Sequence, residues 1–165
     1  MKTIAIDSRE KAKAIKDIEK TFDEQGYKHV STKLFCGDYA FLNDMTLCID
    51  RKQSLLELCG NVAQQHDRFR REMVRAKEHG IKIIFLCEHG HGIKDLTDVL
   101  FWENPRGRYR TKVNGIWVTQ SRNVMQGITL YKILNTMRDR YGVDFLFCEK
   151  RETGQRIIDL LEGGT

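Results

Sequence analysis

The sequence predicts an α/β fold, a mixed central sheet flanked by helices, and three observations carry that prediction. Two short and nearly all-apolar runs, Ile81 to Cys87 and Val143 to Cys148, each follow a glycine and have the make-up of strands buried on both faces. Stretches with apolar residues at helical spacing separate the strands, and such crossovers favour parallel pairing. Tyr39 to Leu42 and Thr46 to Arg51 flank a turn near Asn43-Asp44-Met45, which imposes antiparallel pairing as well.

Thr3 to Ile6 reads as the first strand, ending at Asp7. Ile15, Ile18 and Phe22 then recur at helical spacing, and Gly26 supplies a stop. Residues 27 to 36 predict a second strand, and the hairpin follows. A short helix begins near Ser54, with Gly60 near its end. A longer one covers Asp67 to His79, with Phe69, Met73 and Ala76 as its apolar seam. After the Ile81 to Cys87 strand, Asp95 to Trp102 predicts a short helix closed by Asn104-Pro105. Tyr109 to Val113 and Ile116 to Gln120 flank Asn114-Gly115, the dipeptide most suited to a two-residue hairpin turn, so a second hairpin is inserted near residues 106–121. A long helix spans about Asn123 to Tyr141, with Leu130, Ile133, Leu134 and Met137 inward and Gly142 as its stop. The Val143 to Cys148 strand and a Thr153 to Leu161 helix close the chain.

At 165 residues, with 41% hydrophobic and 31% charged residues, the chain has the size and composition of one soluble globular domain over residues 1–165. The start reaches Asp7 too soon for a signal peptide, and no apolar run approaches the roughly 18 residues of a membrane span. Five scattered cysteines (36, 48, 59, 87 and 148) form no CxxC pair, so a disulfide framework is not expected and an intracellular setting is. The net charge of +5 is unevenly spread. Asn104 to Arg138 holds seven Lys/Arg and no acid, leaving the other 21 basic residues against all 23 acidic ones. Such a concentrated stretch suits a polyanion partner, and equally a solvated basic face.

Asp7, Asp38 and Asp50 each fall at the end of a predicted strand, where α/β sheets commonly place their sites. The turn places Asp38 opposite Asp50 or one residue away. Strand side chains alternate, so Asp50 and Lys52 share a face and Arg51 points away. Two unit charges about 4 Å apart repel by about 4 kcal/mol at an effective dielectric near 20. Lys52, Arg51 and Arg9 are close enough in sequence to offset that, and a divalent metal does so better. The acids can hold a hydrated divalent cation, while Lys52 can position or deprotonate a water and screen a phosphate. Any single Asp reads equally well as a turn or strand-end acid on a solvated edge. The combination with Lys52 is what points to metal-dependent phosphodiester hydrolysis.

Ile6-Asp7-Ser8-Arg9-Glu10, Gly37-Asp38-Tyr39 and Asp50-Arg51-Lys52-Gln53-Ser54-Leu55 occur in an order and spacing that resembles the XPF-type nuclease domain, a branch of the PD-(D/E)XK, restriction-endonuclease-like superfamily. The resemblance continues through Gly60-Asn61, Arg68-Phe69, the Ile81 to Cys87 strand and the final helix-strand-helix. It implies a Mg²⁺- or Mn²⁺-dependent endonuclease that cuts DNA near branch points, flaps or junctions, often as a homodimer or with a protein partner. By position it makes Asp38 and Asp50 metal ligands, Asp7 an additional acid and metal ligand, Lys52 the catalytic lysine, and Arg51 part of the signature triplet. Three departures stand out. The usual Glu-Arg-Lys is here Asp50-Arg51-Lys52. The acid usual four residues after the lysine is Leu56, with Glu57 beside it expected to point elsewhere. The tandem helix-hairpin-helix module of many cellular relatives is not expected, as in compact phage- and prophage-like versions.

Arg106, Arg108, Arg110 and Lys112 are spaced at two and predict one basic strand face, with Lys112 opposite Trp117 and Arg110 opposite Thr119. Tyr109, Thr111 and Val113 take the other face with Ile116 and Val118. Such a ribbon suits backbone contact and groove or junction insertion. An edge hairpin protected by its charges is the plainer alternative. Arg68, Arg71 and Arg75 form a second basic stripe at helical spacing. His89 and His91 lack residues nearby to complete a zinc set and read as part of a polar loop. Besides the endonuclease, two functions stay open: a catalytically weak DNA-binding subunit, which Leu56 favours, and a protein-interaction module with a chance acid cluster.

Overall fold

The computed structural model describes residues 2–89 and 92–163. Its main sheet has six strands: β1 (Thr3–Asp7), β2 (Lys28–Thr32), β3 (Tyr39–Phe41), β4 (Asp44–Lys52), β5 (Lys82–Glu88) and β8 (Asp144–Cys148), in the order β2-β1-β3-β4-β5-β8. β3 runs antiparallel to both β1 and β4, and the other pairs are parallel, so the sheet is mixed as the sequence predicts. β6 (Arg108–Val113) and β7 (Ile116–Ser121) form a separate two-stranded ribbon. Its turn is Asn114-Gly115, both residues with positive φ, as a two-residue turn that follows the strand twist requires.

Helices cover both faces of the sheet. α1 (Ala12–Glu24) and α5 (Thr153–Leu161) bury Ile15, Ile18, Phe22, Ile157 and Leu161 against Ile4, Ile6, Tyr39, Ile49 and Leu86. α2 (Leu55–Ala63), α3 (His66–Glu78) and α4 (Gly127–Tyr141) bury Leu55, Leu58, Phe69, Met73, Leu130 and Leu134 against Ala5, Ala40, Cys48, Phe85 and Cys87. The two sets alternate along β1, β3, β4, β5 and β8, so both faces of that part of the sheet are core and the apolar runs are explained.

β4 already starts at Asp44, opposite Phe41 and inside the turn expected at residues 43–45, and three other boundaries differ from the sequence prediction for local reasons. β2 ends at Thr32 rather than near residue 36, because the Leu34 N–H turns away from the ladder to donate to Asp7 Oδ2 at 2.8 Å. α4 starts at Gly127 rather than near Asn123. Arg122 N–H still continues the hairpin ladder to Gly107 O, and Asn104 Nδ2 holds Met125 O at 3.1 Å. A side chain at Gly127 would collide with the Val99 and Trp102 backbone, so that glycine lets α4 dock. The expected helix at Asp95 to Trp102 is a tighter 3₁₀ turn, Thr97–Phe101.

Candidate active site

Strand register builds the site. The β1–β3 ladder pairs Ile6 with Tyr39, and the β3–β4 ladder pairs Tyr39 with Ile49. One step further along, Asp7, Asp38 and Asp50 form a row across three strands on the face that packs α2 and α3. Backbone bonds hold that row. Asp7 N–H donates to Asp38 O and Asp38 N–H to Ile49 O, both at 2.8 Å. Gly37 precedes Asp38 with φ +67°, and a Cβ there would stand 3.0 Å from Ile49 O and 3.1 Å from Cys48 Sγ. The loop can lie this close to β4 only with glycine at 37, and that closeness sets Asp38 opposite Asp50.

Lys52 follows Asp50 by two residues and shares its face. Its Nζ lies 2.6 Å from Asp50 Oδ1 and 5.6 Å from the centre of the Phe69 ring. The contact is a buried ion pair, and among the described residues Asp50 Oδ1 meets no other hydrogen-bond partner. Asn61 Oδ1 from α2 is a second buried oxygen without a partner among the described residues, and it lines the same cleft. This cleft, about 220 Å³, also receives Arg9, Glu57, Arg68 and Glu72. Glu72 Oε1 accepts the Gly37 N–H at 3.1 Å, so α3 is tied to the loop that positions Asp38.

The electrostatics are those of crowded acids. Burial, then the charges of Asp50 and Glu10, push Asp38 well above the usual carboxylate range, against the Arg51 N–H that its Oδ2 accepts at 2.8 Å. Burial also pushes Asp50 up to about 6; Lys52 opposes this and Glu72 adds to it. Burial works against the charge on Lys52, but the adjacent Asp50 outweighs it and keeps the lysine above its ordinary value. Lys52 is therefore an ammonium at neutral pH.

Asp7 and Glu57 show features beyond the sequence reading. Asp7 shares the row, but both its oxygens are taken: Oδ1 accepts Arg9 N–H and Nε at 2.9 and 2.6 Å, and Oδ2 accepts Arg9 Nη2 and Leu34 N–H. Among the described residues no three His, Cys, Asp or Glu side chains form a ready metal-ligand set. Asp7 here orients Arg9, whose bond to it holds Asp7 below the usual range despite burial. Glu57, expected to point elsewhere, lines the cleft, while Leu56 packs toward Cys59 and the core.

Arg51 points to the opposite face, as alternation requires. There its guanidinium bridges Glu10 Oε2 at 2.8 Å and Glu88 Oε1 at 3.2 Å, with Tyr39 and Thr153 hydroxyls donating to the same two acids. Glu10 comes from the loop before α1 and Glu88 from the end of β5. Only the assembled sheet brings them together, so no local spacing announces them.

The basic residues divide into two surfaces. Arg68, Arg71 and Arg75 line a groove of about 640 Å³ beside α3, with Arg9 and Arg70, and Arg9 and Arg68 also reach the acid cleft. Arg75 is partly committed, since its Nη2 donates to Phe35 O at 2.9 Å and its guanidinium covers the Phe35 ring. On the hairpin, Arg110 pairs with Thr119 and Lys112 with Trp117, as the spacing predicts. Arg106 does not join that face. Pro105 and the Asn104 side chain, which accepts Arg106 N–H at 3.0 Å, wind residues 105–107 into a 3₁₀ turn, and the strand begins only at Arg108. His91 lies outside the described residues.

A mixed sheet with helices on both faces, and an acid pair with a lysine at the rim of its central hairpin, defines a restriction-endonuclease-like α/β domain of the XPF type. Within that class the chain belongs to the ERCC4 domain family, whose model matches residues 6–161. The structure is similar to XPF from Aeropyrum pernix, with a TM-score of 0.65 at 16% identity over 97% of this chain and 63% of that one. It is also similar to XPF from Aeropyrum pernix in complex with DNA, with a TM-score of 0.63 at 16% identity over 98% and 64%. The chain therefore spans under two thirds of either structure. No curated protein matches the sequence. Among the described residues no helix is long and apolar enough to cross a membrane.

Proposed function

We propose that the chain is a divalent-metal-dependent DNA endonuclease that hydrolyses phosphodiester bonds at branched, flap or junction DNA. One observation carries this reading: Asp38 and Asp50 line one cleft beside an ammonium group, and the buried Asp50 Oδ1 meets only that ammonium among the described residues. The family supports it, as does the likeness to a protein whose structure includes DNA.

The cleft fits Mg²⁺ or Mn²⁺. Its donors are hard oxygens, and Mg²⁺ is commonly held by one or two carboxylates with waters and substrate phosphate completing the shell. In this reading Asp38 and Asp50 hold the ion, and Asn61 offers a further oxygen. Bound there, the metal supplies Lewis-acid polarisation of the phosphate and a more acidic water. Lys52, paired with Asp50, orients the attacking water and screens the phosphate charge. Arg9, aimed by Asp7, and Arg68 bind flanking phosphates, and Arg71, Arg75 and the hairpin residues Arg108, Arg110 and Lys112 extend the contact. Arg51 supports the hairpin from behind. The exposed Phe101 and Ile128, on neighbouring elements, suit pairing with a second copy or a protein partner. Five free cysteines fit a reducing compartment.

A catalytically weak DNA-binding subunit is the second reading. Leu56 favours it, because the residue at the position of the family's usual last acid packs into the core and away from the cleft. One assay separates the two. Purified protein is incubated with labelled flap, four-way junction and linear duplex DNA in Mg²⁺, with EDTA as control. Cleavage of branched DNA in Mg²⁺ alone is the expected result; binding with no cleavage in Mg²⁺ or Mn²⁺ establishes the weak subunit.

A further inference from the structure

The tip of the β6–β7 ribbon is built unlike an ordinary exposed hairpin. Trp117 is 56% exposed and Ile116 69%, on a ribbon that shares no ladder with the main sheet. Arg110 and Lys112 both lie against the Trp117 ring, at 5.5 and 5.3 Å from its centre to the guanidinium carbon and Nζ. Register enforces this, since Lys112 is directly opposite Trp117 and Arg110 is diagonal to it on the same face. No acid occurs from Asn104 to Arg138, so neither cation is neutralised by a carboxylate of its own segment.

An exposed indole flanked by two cations matches one ligand chemistry closely: an unpaired nucleobase attached to phosphates. The base has a flat π-face to stack on the ring, and the phosphates on either side meet the cations. Duplex DNA offers the phosphates but keeps its bases stacked on one another. A flat apolar protein partner would gain nothing from Arg110 and Lys112 being held there. The geometry points to Trp117 as a stacking platform for single-stranded nucleotides, with Arg110 and Lys112 as its phosphate contacts. The inference rests on the proposal that the chain acts on DNA, and deepens it: the ribbon senses the unpaired strand, while the acid cleft acts on the phosphodiester.

The test is binding of fluorescein-labelled oligo(dT) and of a blunt duplex of equal length, in EDTA. A chain that never cuts DNA gives the same answer, so failure of the cleavage assay and failure of this inference are separate events. Intrinsic fluorescence is followed in parallel, with Trp117→Phe as the blank for the buried Trp102. The expected result is quenching in the wild type and weaker oligo(dT) binding by Trp117→Ala, roughly 5- to 150-fold. Trp117→Phe recovers most of that affinity, and duplex affinity changes much less. Trp117→Ala keeps the wild-type salt dependence, whereas the Arg110→Gln/Lys112→Gln double variant lowers the salt slope by about 0.7 per cation for single strands. Equal oligo(dT) binding by wild type and Trp117→Ala overturns the inference. So does an unchanged affinity accompanied by conversion of a dimer to a monomer in sedimentation, which makes the tip a self-association surface.

Discussion

The backbone N–H of Arg51 donates to Asp38 Oδ2 at 2.8 Å, so the residue after one acid fixes the carboxylate of the other. The bond also keeps the two acids in register, because it crosses from β4 to the loop that Gly37 folds against it. Asp38 thus has one oxygen committed to structure and one left for chemistry.

Replacing Asp38 separates those two roles. Asp38→Asn keeps an oxygen for the Arg51 N–H but loses the charge that would hold the proposed cation. Its cleavage is expected to fall by about 100-fold or more, with thermal unfolding within a few degrees of wild type. Asp38→Ala loses both. It is expected to be equally inactive and less stable, because the Arg51 N–H is left without its acceptor. Denaturation curves and single-turnover cleavage measured on the same preparations check the split.

Asp50 makes metal-free stability depend on pH with an unusual sign. Its folded value of about 6 lies above the ordinary carboxylate value, so the folded state binds the proton more tightly than the unfolded state does. The stability this contributes is fully present below about pH 4 and is lost as pH rises through about 6. In EDTA the melting temperature should therefore drop across that window, and the drop should be smaller in Asp50→Asn. Adding Mg²⁺ at pH 7.5 should recover stability in the wild type and not in Asp50→Asn. A wild-type profile that matches Asp50→Asn removes the buried acid from the account.

Most of the fold was legible because its signals are local. Ile81 to Cys87 and Val143 to Cys148 became the central strand β5 and the edge strand β8, and Asn114-Gly115 became the ribbon turn. The Asp38, Asp50 and Lys52 cluster was legible for the same reason, since one tight hairpin carries all three. Glu72 and Asn61 were not. They sit on helices that pack back over the strand ends, and nothing in a helical spacing says which polar residue faces a cleft. The bonding of Asp7 has another origin. Its place at a strand end put Asp7 among the acids and Arg9 near them, but the direct bonds between Asp7 and Arg9 depend on a turn that sequence pattern does not encode.

Arg51 is the stability hinge of the site. Its guanidinium lies between Glu10 and Glu88, with a side chain only 3% exposed. Arg51→Ala leaves two acids facing each other in the interior, at a cost of about 3–5 kcal/mol. The expected fall in melting temperature is roughly 10 °C or more. Arg51→Lys should recover only part of it, because one ammonium cannot reproduce the forked contact to both acids. The check is a melting series of the three proteins. An Arg51→Ala variant as stable as wild type would show the bridge to be dispensable.

The exchange between Leu56 and Glu57 offers the sharpest local test. Ser54 caps α2 by accepting the Glu57 N–H at 3.2 Å, and Glu57 Oε2 accepts the Gln53 N–H at 2.8 Å, which aims the Glu57 side chain back along the helix toward Lys52. Its charge is felt by both Asp50 and Lys52. Leu56, one position away on the helix, packs on the core instead. Glu57 therefore lines the cleft that Leu56 does not reach. Glu57→Gln keeps the bond to Gln53 N–H and removes only the charge. It is expected to lower cleavage about 10-fold while raising the metal concentration needed for half-maximal rate. Leu56→Asp replaces a partly buried apolar contact with the core by a charge, so it should destabilise the protein without improving cleavage. Titration of rate against Mg²⁺ for wild type and both variants decides the matter. A gain of activity in Leu56→Asp would mean that residue 56, not Glu57, is the position that completes the site.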